Sequence, residues 1–247
     1  EERLRSRLTK TCEDPNLTAE STFGHRCSNR AIDFLQRFHD EPFFLTVSYD
    51  EPHGPFLCPK EYVDRYRGTQ WPKSRNVWDT LEGKPEHQRV WAGKSLHGDK
   101  EALRIQPAHF LGCNTFVDQE IGRVLDAVDE YAPDALVIYT SDHGDFLASH
   151  SLSGKGPAMY DEIARVPLMI RWPGVCPAGA VSPHPASHID LVPTVLDAFG
   201  MPIPKILEGK SMRETLRDPA VPTNDVIFSE FGRYEVDHDG FGGFQPV

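Results

Sequence analysis

The chain has 247 residues and a net charge of −11, from 26 Lys and Arg against 37 Asp and Glu. That balance argues against nucleic-acid binding and against attachment to an anionic membrane, both of which need clustered Lys and Arg. The composition is globular, with 39% hydrophobic and 26% charged residues, and no apolar run reaches the ~20 residues of a membrane-spanning helix.

In chain order, Ser28 is the predicted cap of a helix whose apolar stripe is Ala31, Phe34, Leu35 and Phe38, a three–four spacing. Residues 42–48, Pro-Phe-Phe-Leu-Thr-Val-Ser, read as a buried strand. Residues 60–104 carry Trp71-Pro72, Gly83-Lys84-Pro85, Gly93 and Gly98 among scattered charges, and read as a surface insertion. A long helix is predicted from near Pro107 to near Tyr131, with Phe110, Val117, Ile121, Val124, Leu125 and Val128 inward and Pro133 as its stop. Strands follow at 135–140 and 166–171. A helix runs from a cap at Asp190 to Gly200, and a last strand covers 226–229. Short apolar runs alternating with helices predict an α/β layered fold with a largely parallel central sheet. The five cysteines, Cys12, Cys27, Cys58, Cys113 and Cys176, are odd in number and widely spaced, which points to a reducing, cytoplasmic compartment.

Two predicted strands run into polar clusters, Tyr49-Asp50-Glu51-Pro52-His53-Gly54-Pro55 and Ser141-Asp142-His143-Gly144-Asp145. Ligands of open parallel sheets bind beyond the carboxyl ends of strands, so both clusters are candidate site loops. Asp142 and His143 offer a carboxylate and an imidazole to one cation, with a glycine behind them to turn the backbone. The alternative is a turn-capping Asp beside an ordinary polar His. Lys155, in Ser153-Gly-Lys-Gly-Pro157, is a compact point charge for an anion, or else a solvated loop lysine. His53, between Pro52 and Pro55, is either a contact and proton donor to a substrate oxygen or a turn histidine. His184 and His188 have H-x-x-x-H spacing, but the flanking prolines spoil a helical metal pair. No G-x-S-x-G or G-x-G-x-x-G motif is present.

Taken together, Thr140-Ser-Asp-His-Gly-Asp-Phe-Leu-Ala-Ser-His150, Lys155-Gly156, Tyr160 and Arg165-Val-Pro-Leu-Met-Ile-Arg-Trp-Pro-Gly174 resemble the sulfatase family of the alkaline-phosphatase-like superfamily. Pro52-His-Gly-Pro-Phe56, Val117-Asp-Gln-Glu-Ile-Gly-Arg123 and His188-Ile-Asp-Leu-Val-Pro-Thr194 extend the resemblance over most of the chain. The ending, residues 230–247, is similar to that of one bacterial subgroup of sulfatase-like proteins.

The resemblance implies a three-layer αβα fold, incomplete here, and metal-dependent hydrolysis of sulfate esters. Asp142 and His143 match two of the family's divalent-metal ligands. Lys155 matches the lysine on the transferred group, and His53 the histidine beside the substrate. Tyr160 and Arg165 are read as structural, and His150 as scaffold near the site. The implied metal is Ca²⁺, with Mn²⁺ or Zn²⁺ favoured by the His143 imidazole. The implied substrate is a small-molecule or sugar sulfate ester. Trp71, Trp78, Trp91 and the segment from Arg233 to His238 are either pocket walls or, as loop aromatics more often are, packing anchors.

One departure bears on catalysis. The family's nucleophile is a formylglycine made within C/S-x-P-x-R, and none of the five cysteines opens that pattern. The family's early Asp ligands and G-K-x-H segment are absent too. The chain therefore reads as residues 1–247 of the central and C-terminal part of a single catalytic domain. Its nucleophile segment and C-terminal small subdomain are expected elsewhere. Two further readings are a phosphonate monoester or phosphodiester hydrolase on the same scaffold, and a non-catalytic anion-binding remnant.

Overall fold

A computed structural model describes residues 17–70, 75–93 and 106–230. In chain order the helices and strands are α1 (Phe23–Phe38), α2 (Lys60–Asp64), α3 (Glu86–Ala92), α4 (Pro107–Tyr131), β1 (Val137–Thr140), α5 (Asp161–Ala164), β2 (Leu168–Arg171), α6 (Leu191–Ala198) and α7 (Arg213–Arg217). The described residues divide into two compact units. One unit takes in residues up to 75 and 106–133, the other 76–93 and 134–230.

In the first unit, α1 and α2 both pack on α4. Helix α1 starts at Thr22, whose hydroxyl accepts from the His25 N–H at 3.2 Å, and not at the predicted Ser28. Ser28 lies inside the helix, fully buried, donating to the Glu120 carbonyl at 3.1 Å and paired with the Tyr49 hydroxyl at 3.0 Å. A serine tolerates a helix interior when its hydroxyl finds such partners. Ala31 and Leu35 face the core as predicted, while Phe38 stays exposed. Helix α4 has the predicted bounds: Pro107 fits its first turn, and the last cap, Ala132 N–H to Val128 O at 2.8 Å, precedes Pro133. Gly112 admits α2, because a Cβ there would lie 2.9 Å from the Tyr62 and Val63 backbone. The core beneath is Cys58, Tyr62, Val63, Cys113 and Phe116, with the Tyr62 and Phe116 rings edge to face at 5.3 Å.

In the second unit, β1 and β2 pair antiparallel, from Val137 opposite Arg171 to Thr140 opposite Leu168. The core of this unit is Leu81, Ala92, Phe146, Leu152, Ala158 and Ile163, with Trp91 and Tyr160 packed against it. Ahead of α6, Asp190 and Ser187 form a capping box. The buried Asp190 carboxylate accepts from Ser187 N–H at 3.0 Å, Lys210 N–H at 2.9 Å and the Asn224 amide at 2.7 Å.

Helices and strands alternate from β1 to α6, and the small sheet is that of an incomplete α/β fold. The one ladder among the described residues is antiparallel, and 42–48 and 226–229 are not strands in it. An apolar run supplies a strand's side-chain pattern; the ladder also needs a neighbour's backbone groups. Residues 42–48 keep the pattern, with exposed and half-buried positions alternating. In its described part the predicted surface insertion is mostly exposed or half-buried, but it sends Tyr62 and Val63 into the first unit's core and Leu81 and Ala92 into the second's. Glycines, prolines and charges there marked loops correctly but said nothing of the apolar residues between them.

Candidate active site

Strand β1 delivers the chain to Ser141 and its polar loop. The Ser141 hydroxyl donates to the His143 carbonyl at 2.9 Å, and the His143 N–H to Asp142 Oδ1 at 3.0 Å. His143 Nδ1 lies 2.7 Å from the Gly144 carbonyl. That carbonyl only accepts, so Nδ1 carries the proton and Nε2 keeps its lone pair. Nε2 is 3.4 Å from Asp142 Oδ2, and the Asp142 side chain is 84% exposed. Gly144 donates to the Ile163 carbonyl at 2.9 Å, and a Cβ there would fall 1.9 Å from the Glu162 carbonyl oxygen. Only glycine fits, as the sequence motif suggested. Burial pushes the Asp145 carboxyl up, against the opposing pull of the Leu147 N–H, His143 and Lys155.

Lys155 stands on a second loop bound to the first. Phe146 N–H donates to the Gly154 carbonyl at 2.9 Å, and Gly154 sits at φ +66°. Gly156, on the other side, is roofed by Trp91, whose Cη2 would lie 2.7 Å from an added Cβ. Lys155 is exposed. Asp142, His143 and Lys155 line one open groove, together with Trp91, Arg165 and His188. Its volume of about 2010 Å³ exceeds the roughly 300–1,000 Å³ of closed ligand pockets.

His53 belongs to the other unit. It is exposed on a turn in which its N–H donates to Asp50 O at 2.8 Å and its carbonyl accepts from Phe56 N–H at 3.1 Å. Its Nδ1 faces the Gly54 carbonyl at 2.7 Å, the same His-Gly arrangement as at His143. Both imidazoles thus carry the proton on Nδ1 and leave Nε2 without one. The turn is held by Glu51, whose Oε1 accepts from the Gly24 N–H at 3.0 Å near the start of α1. Sequence reading missed Glu51, since 27 positions separate it from Gly24.

As a metal centre, the site supplies a partial donor set. Asp142 and His143 offer an exposed carboxylate and an outward Nε2 whose tautomer the Gly144 carbonyl fixes, as a metal-bound histidine requires. Among the described residues no group of three or more His, Cys, Asp or Glu side chains is placed to hold a metal. The pair fits one side of a cation.

Other sequence readings resolve as follows. Tyr160 packs on the core and donates to Gln88 Oε1 at 2.7 Å, a structural role. Arg165 does not: its side chain is 83% exposed and lines the groove. His184 and His188 do not pair with each other: their ring nitrogens meet the Ala220 carbonyl at 3.0 Å and the Thr140 hydroxyl at 3.1 Å. Trp78 is 59% exposed. Cys12, Trp71 and the segment from Arg233 to His238 lie outside the described residues. No described helix is long and apolar enough to cross a membrane.

Comparison with known proteins adds the following. Residues 5–201 match the family model described as Sulfatase. The chain is 46% identical over 233 residues to the uncharacterized sulfatase YidJ of Escherichia coli (strain K12), covering 92% of this chain and 44% of that protein. It is 33% identical over 210 residues to an arylsulfatase of Clostridium perfringens, covering 82% and 43%. Among solved structures, a phosphonate monoester hydrolase from Silicibacter pomeroyi superposes with a TM-score of 0.72 at 28% identity, over 83% of this chain and 43% of that one. The chain spans less than half the length of these relatives.

Proposed function

The chain belongs to the sulfatase family, and from that membership we propose that the whole protein hydrolyses sulfate esters with the help of a divalent metal ion. The observation that carries this reading is the groove into which Asp142, His143 and Lys155 all open, from two loops tied by the Phe146–Gly154 hydrogen bond. Lys155 sets a point charge against the oxygens of the transferred sulfuryl group, where negative charge grows in the transition state. His53, by its match to the family motif, would contact the ester oxygens, and as the imidazolium, protonated at Nε2 as well as Nδ1, would supply the leaving group's proton. Asp142 and His143 would hold the metal ion, which supplies Lewis-acid stabilisation of the same oxygens when bound. Ca²⁺ is the first candidate, and the imidazole ligand makes Mn²⁺ and Zn²⁺ the others. The formylglycine nucleophile would come from outside residues 1–247. The substrate is a small-molecule or sugar sulfate, with Trp91 beside the Lys155 loop as an apolar wall.

A second reading, phosphonate monoester hydrolysis, is favoured by the likeness to the Silicibacter enzyme, since sulfuryl and phosphonyl groups are near isosteres. The test is turnover of an aryl sulfate and an aryl phosphonate by the full-length protein and its Lys155→Ala variant. Loss of about 10²–10³-fold in the variant is expected on whichever substrate the protein turns over. Equal rates in variant and wild type on both substrates would refute the site.

A further inference from the structure

Next to the Lys155 loop the backbone takes an unusual course. Leu147, Ala148, His150 and Ser151 all lie at positive φ, 43°, 79°, 55° and 57°. Side-chain-bearing residues avoid that region because Cβ meets the carbonyl oxygen. Four such residues within five positions persist only where the surroundings dictate it.

The surroundings here centre on His150. Its side chain is 14% exposed, with Nδ1 2.7 Å from Asp79 Oδ2. Nε2 lies 3.0 Å from the Asn76 amide and 3.5 Å from Glu162 Oε1. The Asn76 amide also donates to Glu162 Oε1 at 2.6 Å. These contacts fit one tautomer: Nδ1–H donates to Asp79, and Nε2 accepts from Asn76. Lys84 Nζ donates to the same Asp79 oxygen at 2.5 Å and lies 4.6 Å from the centre of the Tyr160 ring. The His150 ring stacks on Tyr160 at 3.9 Å and 19°. From Tyr160 the contacts continue edge to face, through Phe146 at 5.8 Å to Trp91 at 5.3 Å.

That ladder ends on both sides of Lys155. Trp91 presses on Gly156, and Phe146 holds the Gly154 carbonyl through its N–H. We infer that His150 is a positioning residue: locked between Asp79, Asn76 and Tyr160, it fixes the aromatic ladder that sets Lys155 toward the groove. The inference rests on the role given to Lys155 above. His150 itself does not line the groove, so its effect on turnover must pass through the residues it orders.

A double-mutant cycle in the full-length protein tests this, with His150→Ala and Lys155→Ala singly and together, an aryl sulfate as substrate and a thermal melt as folding control. His150→Ala should lower kcat by about tenfold or more with KM little changed, since Lys155 acts on transition-state charge. In the Lys155→Ala background the same change should cost less than about twofold, because the side chain it orders is gone. Equal fold-losses in both backgrounds, or a rise in KM at constant kcat, would overturn the inference. Should His150→Ala melt below the assay temperature, Tyr160→Leu replaces it and must show the same non-additivity. Wild-type turnover in Lys155→Ala alone would instead refute the role of Lys155, a separable failure.

Discussion

Gly144→Ala is the sharpest probe of how the loop after β1 is held. An added Cβ would sit 1.9 Å from the Glu162 carbonyl oxygen and 2.9 Å from its carbon, both backbone atoms that cannot rotate away. Ordinary contact begins at 3.4 Å, so the two segments must part by about 1.5 Å. That motion breaks the 2.9 Å hydrogen bond from Gly144 N–H to Ile163 O. It also displaces the carbonyl that fixes the His143 ring. Overpacking of this kind costs about 1–3 kcal/mol, and the lost bond adds about 1 kcal/mol. Misplacing a catalytic group by about 1 Å costs about 10²-fold in rate. Measured on the full-length protein, Gly144→Ala should therefore drop kcat/KM on an aryl sulfate by about 10²-fold and lower Tm by several degrees. A variant within twofold of wild type on both counts would show that the loop does not depend on this close approach.

The remaining predictions concern stability. Phe146→Ala removes a fully buried ring between Trp91 and Tyr160 and should cost about 3–5 kcal/mol by chemical denaturation; a loss below about 1 kcal/mol would mean that this core collapses freely. Asp190→Ala strips the acceptors from Ser187, Lys210 and Asn224 and should cost about 3 kcal/mol or more, whereas a neutral result would mean that water replaces the carboxylate. Burial opposes ionisation of Asp79, but hydrogen bonds from His150 and Lys84 outweigh it and hold the carboxyl at about 2, below its ordinary 3.8. The folded value lies below the unfolded one, so on the order of 2 kcal/mol of stability is present above pH ~4 and lost as pH falls through ~2. Asp79→Asn should flatten that acid limb of the stability profile, and an unchanged limb would contradict the ion pairing.

Local rules carried the sequence reading as far as local rules reach. Pro107 and Pro133 bracket α4 because proline's ring and missing N–H act within one turn, and the bounds came out as read. Asp142-His-Gly144 was legible as a candidate site loop because its chemistry lies in consecutive residues. The start of α1 was misread because Ser28 and Thr22 are both good caps. What separates them is that Ser28 bonds to Glu120, 92 positions away.

By itself, then, the sequence determined the family, the helix periods, and which residue types stand at the ends of β1 and on the Lys155 loop. Tertiary structure alone decided that Asp142, His143 and Lys155 open on one groove while Arg165 joins them. It alone decided that Leu81 and Ala92 are core, and that Asp79 and Asn76 grip His150 from more than 70 positions away. Capping and periodicity depend on neighbours within a turn or two and are written in spacing. Burial and charge pairing depend on which distant segments meet, and no local pattern around Asp79 encodes its meeting with His150.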